Sequence, residues 1–396
     1  MRVLSVTAQK PCSTGSGVYL TEVVRSLAKM GVSQAVVVGV TREDRVDMPE
    51  GVTVYPVYFS SEKLPYPVVG MSDEMPYTST RYRDMTEEMA GQFKAAFLEV
   101  LDEAIEKENP DIILCHHLYY LTALIRAHYP AKKVYGFCHN TDLRQMESIL
   151  FERNFIRQEI PKLDRIFALQ EAQKEKIKKI YPVSEKQMTV IGTGYNSEVF
   201  KKTGIKLSRK DGKIRMIFAG KITQKKGVKS LLRALNLLDY EKEKIQLILA
   251  GGAGNLVEYE EIKELADGCR YPVVFAGCVT QSRLAELYND CDIFVLPSMY
   301  EGLPLTVIES LACGDRVVMT KLEGIAEWLA DMVPDADIRY VLPPGMKGTD
   351  EPLEEELPAF ESRLAEALRE AIEEKDTKEC DVSRISWQKI AREVIR

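Results

Sequence analysis

The segment Tyr300-Glu301-Gly302-Leu303-Pro304-Leu305-Thr306-Val307-Ile308-Glu309 carries the densest chemistry in the chain. It follows an apolar run at 292–296, and Pro304 suits the first position of a helix. The amides of Leu305, Thr306 and Val307 would then lack partners inside that helix. They would face outward with the positive end of its dipole. Glu301 falls in the loop before them, and Glu309 about one turn in. Amides suited to phosphate and carboxylates suited to hydroxyls thus meet at one helix end. Read as structure alone, Glu309 is an acid that favours its helix dipole and Glu301 an exposed loop acid.

Other segments offer less. Gly15-Ser16-Gly17 and Gly252-Ala253-Gly254 each lack a third glycine for a dinucleotide site, since Leu20 and Val257 stand there. A tight strand-to-helix turn explains both, and free amides at a helix start favour an anion or a hydroxyl-rich ligand near the backbone. His139, in Phe137-Cys138-His139-Asn140-Thr141-Asp142, ends an apolar run, where a histidine is more often a capping or core residue. His116-His117 follow the run 112–115, and a zinc pair there lacks a third ligand. The eight cysteines form no C-x-x-C pair, and several lie in apolar runs, so reduced thiols in a cytoplasm are expected.

These residues need elements to hold them. Short β-branched runs, Gly-rich turns and helical periods alternate along the chain, which argues for βαβ units and parallel sheets. In the first half the runs 3–7, 35–40, 53–57, 112–115 and 133–138 read as strands, with helical stretches at 18–30 and 85–107; Gly31 closes the first of these as a C-cap glycine does. In the second half the runs 215–219, 246–250, 273–276, 292–296 and 316–320 are continuously apolar, as strands of a buried parallel sheet are. The fold class expected is α/β, with two doubly wound Rossmann-like domains facing a cleft. At 396 residues the chain is too long for one core. Domains are expected at 1–203 and 204–383, joined by the Lys-, Gly- and Ser-containing stretch 201–213. Residues 60–83, with Pro65, Pro67, Pro76 and three tyrosines, read as a lid or binding loop or a surface excursion.

Composition narrows the partners. Fifty-three Lys and Arg against sixty Asp and Glu leave −7. Thirteen acids against four bases between Asp350 and Asp381 make −9, so the remainder carries +2. That run reads as a solvated helix face, and nothing resembles the basic stripe of a nucleic-acid binder. No apolar run approaches the ~20 residues of a transmembrane helix. The start, Met1-Arg2-Val3-Leu4, reads as a strand rather than a leader, which favours the cytoplasm. The helical stretch 171–181 holds Lys174, Lys176, Lys178 and Lys179 and could touch anionic lipid as a peripheral contact, although Glu171 and Glu175 dilute it.

With these blocks assembled, the chain resembles glycosyltransferase family 4, retaining enzymes of the GT-B fold. The resemblance rests on E-G-x-P-x-x-x-x-E after a D-x-F-V-x-P-S strand, on Phe218-Ala219-Gly220-Lys221 followed by Lys226-Gly227, and on Phe275-Ala276-Gly277-Cys278-Val279. The closing Ser386-Trp387-Gln388-Lys389-Ile390-Ala391 resembles the family's terminal helix, implying that a helix at about 384–396 packs back on the N-terminal domain. The N-terminal domain would then be the acceptor side and 204–383 the nucleotide-sugar donor side. The resemblance implies a hexosyltransferase-type enzyme whose donor is a nucleoside-diphosphate sugar, commonly a UDP-sugar, with no metal and no other cofactor. Glu301, His139 and Lys226 are implied as catalytic. Lys221 and Lys226 would neutralise the diphosphate, with Gly302, Leu303, Leu305 and Thr306 beside it; a solvated lysine cluster with Lys225 and Lys229 is the plain alternative. Glu309 would hold the ribose, Val279 the base, and the Gly17 amide the donor phosphate or sugar. Three departures stand out: Lys221 replaces the usual Arg, Glu323-Gly324 replaces Gly-Gly, and Asn196 replaces Asp.

The mechanism implied is front-face transfer through an oxocarbenium-like transition state, with the leaving phosphate taking the acceptor proton and domain closure excluding water. A GT-B nucleotide-sugar epimerase and a non-catalytic sugar-nucleotide-binding subunit are the alternatives. His117, Asp142, Arg144 and the loop 60–83 are the candidates for the acceptor side; the acceptor itself is not readable.

Overall fold

The computed structural model describes the chain except residues 12, 74, 210, 349, 350 and 375–379, and only the main chain of Leu207 and Ser208. Cys12 and parts of the acidic run therefore lie outside the described residues. The chain folds as two units, one of residues 1–194 with 387–396 and one of residues 195–386.

The first unit carries strands β1 (Arg2–Thr7), β2 (Ser33–Val40), β3 (Thr53–Tyr58), β4 (Ile112–His116), β5 (Lys133–Phe137), β6 (Arg165–Ala168) and β7 (Met188–Val190). The second carries β8 (Ile214–Ala219), β9 (Ile245–Ala250), β10 (Val273–Gly277), β11 (Ile293–Leu296), β12 (Arg316–Thr320) and β13 (Ile338–Val341). Both sheets are parallel, ordered β3-β2-β1-β4-β5-β6-β7 and β10-β9-β8-β11-β12-β13 among the described residues. The first strand of each sheet thus lies between its second and fourth. The order of winding reverses there, and the loops beyond the carboxyl ends of these strands are where open α/β sheets bind ligands.

The interior explains the continuous apolar runs. Leu4, Val36, Val37 and Val38 in the first sheet, and Ile217, Phe218, Leu247, Ile293 and Val317 in the second, are fully buried. Each such side chain contributes about 1.5–3 kcal/mol of burial. Two of the longer helices of the first unit start at side-chain caps. Thr14 accepts from the Gly17 amide at the head of Gly15–Lys29, and Thr86 from the Met89 amide at the head of Glu87–Glu108. Gly31 adopts φ +73° just past the first helix, which only glycine does cheaply.

Three stretches differ from the sequence expectation. Residues 60–83 are not a surface excursion: Leu64, Val69 and Tyr82 sit in the core. The strand pair Val69–Gly70 and Thr80–Arg81 orders the segment, and the Tyr66 hydroxyl donates to the Met89 carbonyl at 2.7 Å. The stretch 201–213 is fastened to the second unit. The Thr203 amide donates to Asn289 at 2.8 Å, Lys206 pairs with Asp315 at 2.5 Å, and Arg209 pairs with Asp292. The helix Glu171–Ile180 is no open basic patch, because Lys174 and Lys178 both reach Glu185.

The final helix, Trp387–Val394, belongs to the first unit and packs against the helix Gly15–Lys29. The Trp387 ring meets the Tyr19 ring edge-on at 4.9 Å. A Cβ at Gly194 would lie 2.5 Å from Trp387, so glycine is needed for this approach. Arg165 extends the attachment by pairing with Glu393 at 2.5 Å.

Candidate active site

In the second unit the loops after β8 and β11 carry the charged residues. The Met299 amide donates to the Lys225 carbonyl at 2.9 Å. Gly227, at φ +75°, lies so close to Pro297 that a Cβ would stand 2.0 Å from its carbonyl oxygen. These two contacts lock the loops together. Thr223 accepts from the Lys226 amide at 3.3 Å and turns the chain there. The outcome is an ion pair not foreseen from sequence: Lys226 Nζ lies 2.6 Å from Glu301 Oε1. Lys221 is half-buried on the same β8 loop, whose Ile222 amide donates to the Gly252 carbonyl at 3.0 Å.

The helix after β11 spans Leu305–Ala312. Pro304 is its N-cap and not its first residue, because its ψ of 109° is extended. The Val307 amide donates back to the Pro304 carbonyl at 3.2 Å, so it is not among the outward amides expected. The Leu305 and Thr306 amides remain at the helix head, on half-buried residues beside Gly302. Leu303 is buried and anchors the loop from below. Glu309 is buried, and its charge adds to the burial that holds the Tyr288 hydroxyl protonated. Val279 follows β10, half-buried, just before Thr280 caps the helix Gln281–Asp290.

In the first unit, the residues singled out gather after β1, β4 and β5. The Gly17 amide is taken by Thr14 Oγ1 at 3.1 Å, which corrects the expectation that it is open to a ligand. Threonine three residues ahead of an amide is the usual N-cap spacing, so the signal was present. His117 has φ +74°, a strained position for a side-chain-bearing residue. Its Nε2 contacts Ser16 Oγ at 3.1 Å. His116 Nδ1 contacts His139 Nε2 at 3.0 Å. Burial holds all three imidazoles below their ordinary range, His139 at about 3. All three rings are therefore neutral at physiological pH.

Asp142 is a structural residue rather than an acceptor contact. It is fully buried, and its oxygens accept from the amides of Leu118 at 2.7 Å and His139 at 3.2 Å. Burial raises its carboxyl while those amides pull it back. It thereby ties the turn after β5 to the turn after β4. Arg144 stays half-buried on the helix Thr141–Ser148. Among the described residues no three His, Cys, Asp or Glu side chains are grouped to hold a metal ion.

Comparison with known proteins places this arrangement. Residues 13–199 match the description "Glycosyltransferase Family 4", and residues 200–356 match "Glycosyl transferases group 1". The chain belongs to glycosyltransferase family 4. Similar curated proteins include an uncharacterized glycosyltransferase of Methanocaldococcus jannaschii, 29% identical over 41% of this chain and 44% of its own length. Another is the alpha-maltose-1-phosphate synthase of Mycobacterium tuberculosis, 24% identical over 58% of this chain and 61% of its own. The chain thus aligns with less than two thirds of these relatives' length. Among solved structures, sucrose-phosphate synthase of Thermosynechococcus elongatus superposes with a TM-score of 0.70 at 15% identity, covering 100% of this chain and 97% of that one. Anabaena HepE in complex with UDP and glucose gives 0.64 at 15% identity, covering 100% and 98%. At such identity these likenesses establish the GT-B architecture. In this family 4 chain the two carboxylates expected from sequence occupy different settings: Glu301 is ion-paired in a loop, whereas Glu309 is buried in a helix.

Proposed function

We propose that this chain transfers a sugar from a nucleoside-diphosphate donor, a UDP-sugar, to a hydroxyl of an acceptor with retention of configuration. The observation that carries the reading is the Lys226–Glu301 pair of 2.6 Å beside the head of the helix Leu305–Ala312. It sets a cation for phosphate next to a carboxylate for sugar hydroxyls. As the bond from the anomeric carbon to the leaving oxygen breaks, negative charge grows on the diphosphate. The Leu305 and Thr306 amides with Lys221 and Lys226 stabilise that charge, the largest electrostatic contribution in this mechanism. The acceptor oxygen bonds to the same face of the carbon, and its proton passes to the departing phosphate oxygen. The two ammonium groups do the neutralising for which other transferases use a metal.

Glu309 accepts from the ribose, the backbone near Val279 holds the base, and His139 hydrogen-bonds the transferred sugar. HepE, which binds UDP and glucose by its title, supports the choice of donor. The relatives named above are transferases or synthases by name, which favours transfer over epimerisation. No described helix is long and apolar enough to cross a membrane; a cytoplasmic site, and the N-terminal unit as the acceptor side, are parts of this proposal. Arg144 is the remaining acceptor-side candidate, together with His117 if its strained turn opens. The test is to incubate the protein with UDP-sugars and read nucleoside diphosphate, transferred sugar and epimerised sugar. Glu301→Ala should abolish turnover with folding retained. Full activity in that variant rejects the assignment, and epimerised sugar without transfer restores the alternative.

A further inference from the structure

The three histidines, His116 and His117 buried and His139 half-buried, are wired unequally. His116 offers Nδ1 to His139 Nε2 at 3.0 Å, with the two rings only 10° from parallel. Its other nitrogen, Nε2, is sealed from solvent and meets no partner among the described residues. Around it are aromatic faces, with Phe137 stacked at 4.8 Å and the Tyr19 edge at 6.2 Å. Burial and the neighbouring imidazoles set the state of the three rings, and the Asp142 oxygens accept from the amides of Leu118 and His139 and from the Cys138 thiol. Both imidazoles of the pair are neutral, and each carries one proton.

Two arrangements satisfy the 3.0 Å contact. In one, His139 Nε2–H donates to His116 Nδ1, and the proton of His116 is stranded on its sealed Nε2. In the other, His116 Nδ1–H donates to His139 Nε2, and only a lone pair is stranded. Orphaned buried N–H groups are the rarer and costlier defect, so the second arrangement prevails. The proton of His139 then sits on Nδ1.

We propose that His116 is a positioning residue that fixes the tautomer of His139, so that His139 meets a ligand as a hydrogen-bond donor and not as a proton acceptor. The complement of such a group is an oxygen with an available lone pair, a sugar hydroxyl or a phosphate oxygen. His117 does not compete for this task, since its Nε2 is committed to Ser16. What His139 touches rests on the proposed function; the wiring of the pair does not.

Labelling the full chain with ring-15N histidine tests it, because there are four histidines and His128 is exposed. Long-range proton–nitrogen spectra of the ligand-free protein should show His139 with a protonated Nδ1 and a bare Nε2, unmoved between about pH 5 and 8. His116→Phe keeps the stack on Phe137 but removes both nitrogens, and should turn the His139 signals to averaged tautomers. His116→Asn, whose amide can still donate, should restore the single form. A proton on His139 Nε2 in the unaltered chain overturns the proposal, as does an unchanged Nδ1–H form in His116→Phe. If His116→Phe does not fold, the unaltered chain and His116→Asn decide. Adding UDP-glucose should then shift His139 Nδ1. No shift with the tautomer intact would overturn the donor contact and leave the positioning role standing.

Discussion

Replacing Glu301 by glutamine should uncouple nucleotide affinity from turnover. Lys226 is held by Glu301 at 2.6 Å, with side chains 27% and 14% exposed. A pair so placed contributes about 1 kcal/mol, the upper end for ion pairs that solvent still reaches. A diphosphate must draw Lys226 away from that partner or share it. Glu301→Gln leaves an amide of the same shape and removes the competing charge. The variant should therefore bind UDP more tightly, by up to about fivefold, since 1.4 kcal/mol corresponds to about tenfold. Uridine, which has no phosphate, should be unaffected. Sugar transfer should nonetheless collapse, because the carboxylate proposed to hold the sugar hydroxyls is gone. Calorimetric titration with UDP and with uridine, beside a turnover assay, reads all three quantities. Weaker UDP binding, or an equal gain for uridine, refutes the idea that Lys226 exchanges a carboxylate for phosphate.

Other expectations can be checked independently. Lys226→Ala should weaken UDP binding by about 1.5–3 kcal/mol, the range for hydrogen bonds to charged groups, with uridine unchanged by the same titration. Burial raises the Asp315 carboxyl to about 7, against an ordinary value of about 3.9. Its contribution to stability is full below about pH 4 and lost as pH rises through about 7, up to about 4 kcal/mol in all. Urea unfolding should accordingly show Asp315→Asn gaining on the unaltered chain between pH 4 and 8, and a constant difference would contradict this. Gly227→Ala forces a Cβ to 2.0 Å from the Pro297 carbonyl at a φ of +75°, and should cost more than about 1 kcal/mol while also weakening UDP binding. Trp387→Ala should lower stability by about 3–5 kcal/mol, read as an earlier melting transition.

Much of the architecture was legible because its signals are local. Runs such as 35–40 and 246–250 are apolar at every position, and a strand buried on both faces needs that. The strands Arg165–Ala168, Met188–Val190 and Ile338–Val341 were not read. They are short and lie toward one margin of their sheets, where half-buried residues break the run. Residues 60–83 misled because prolines interrupt every period, while their burial depends on partners distant in sequence, such as Gln145 on the Met71 carbonyl. The same divide runs through the site. The spacing of Glu301 and Glu309 could be read from the chain alone, but the Lys226–Glu301 pair spans 75 residues and the His116–His139 contact 23. Asp142 shows the opposite error, a polar residue beside a candidate histidine whose oxygens face inward to backbone amides.

Ribosomes make the Trp387–Val394 segment after everything else the first unit contains. Until it emerges, the outer flank of Gly15–Lys29 lacks its cover, and the Tyr19 ring that lies against His139 at 5.2 Å lacks the indole behind it. The second unit, with all its strands already synthesised, can mature first. Loss of residues 387–396 would therefore injure the half of the molecule made earliest, loosening the histidine cluster while leaving the lysine–glutamate pair intact.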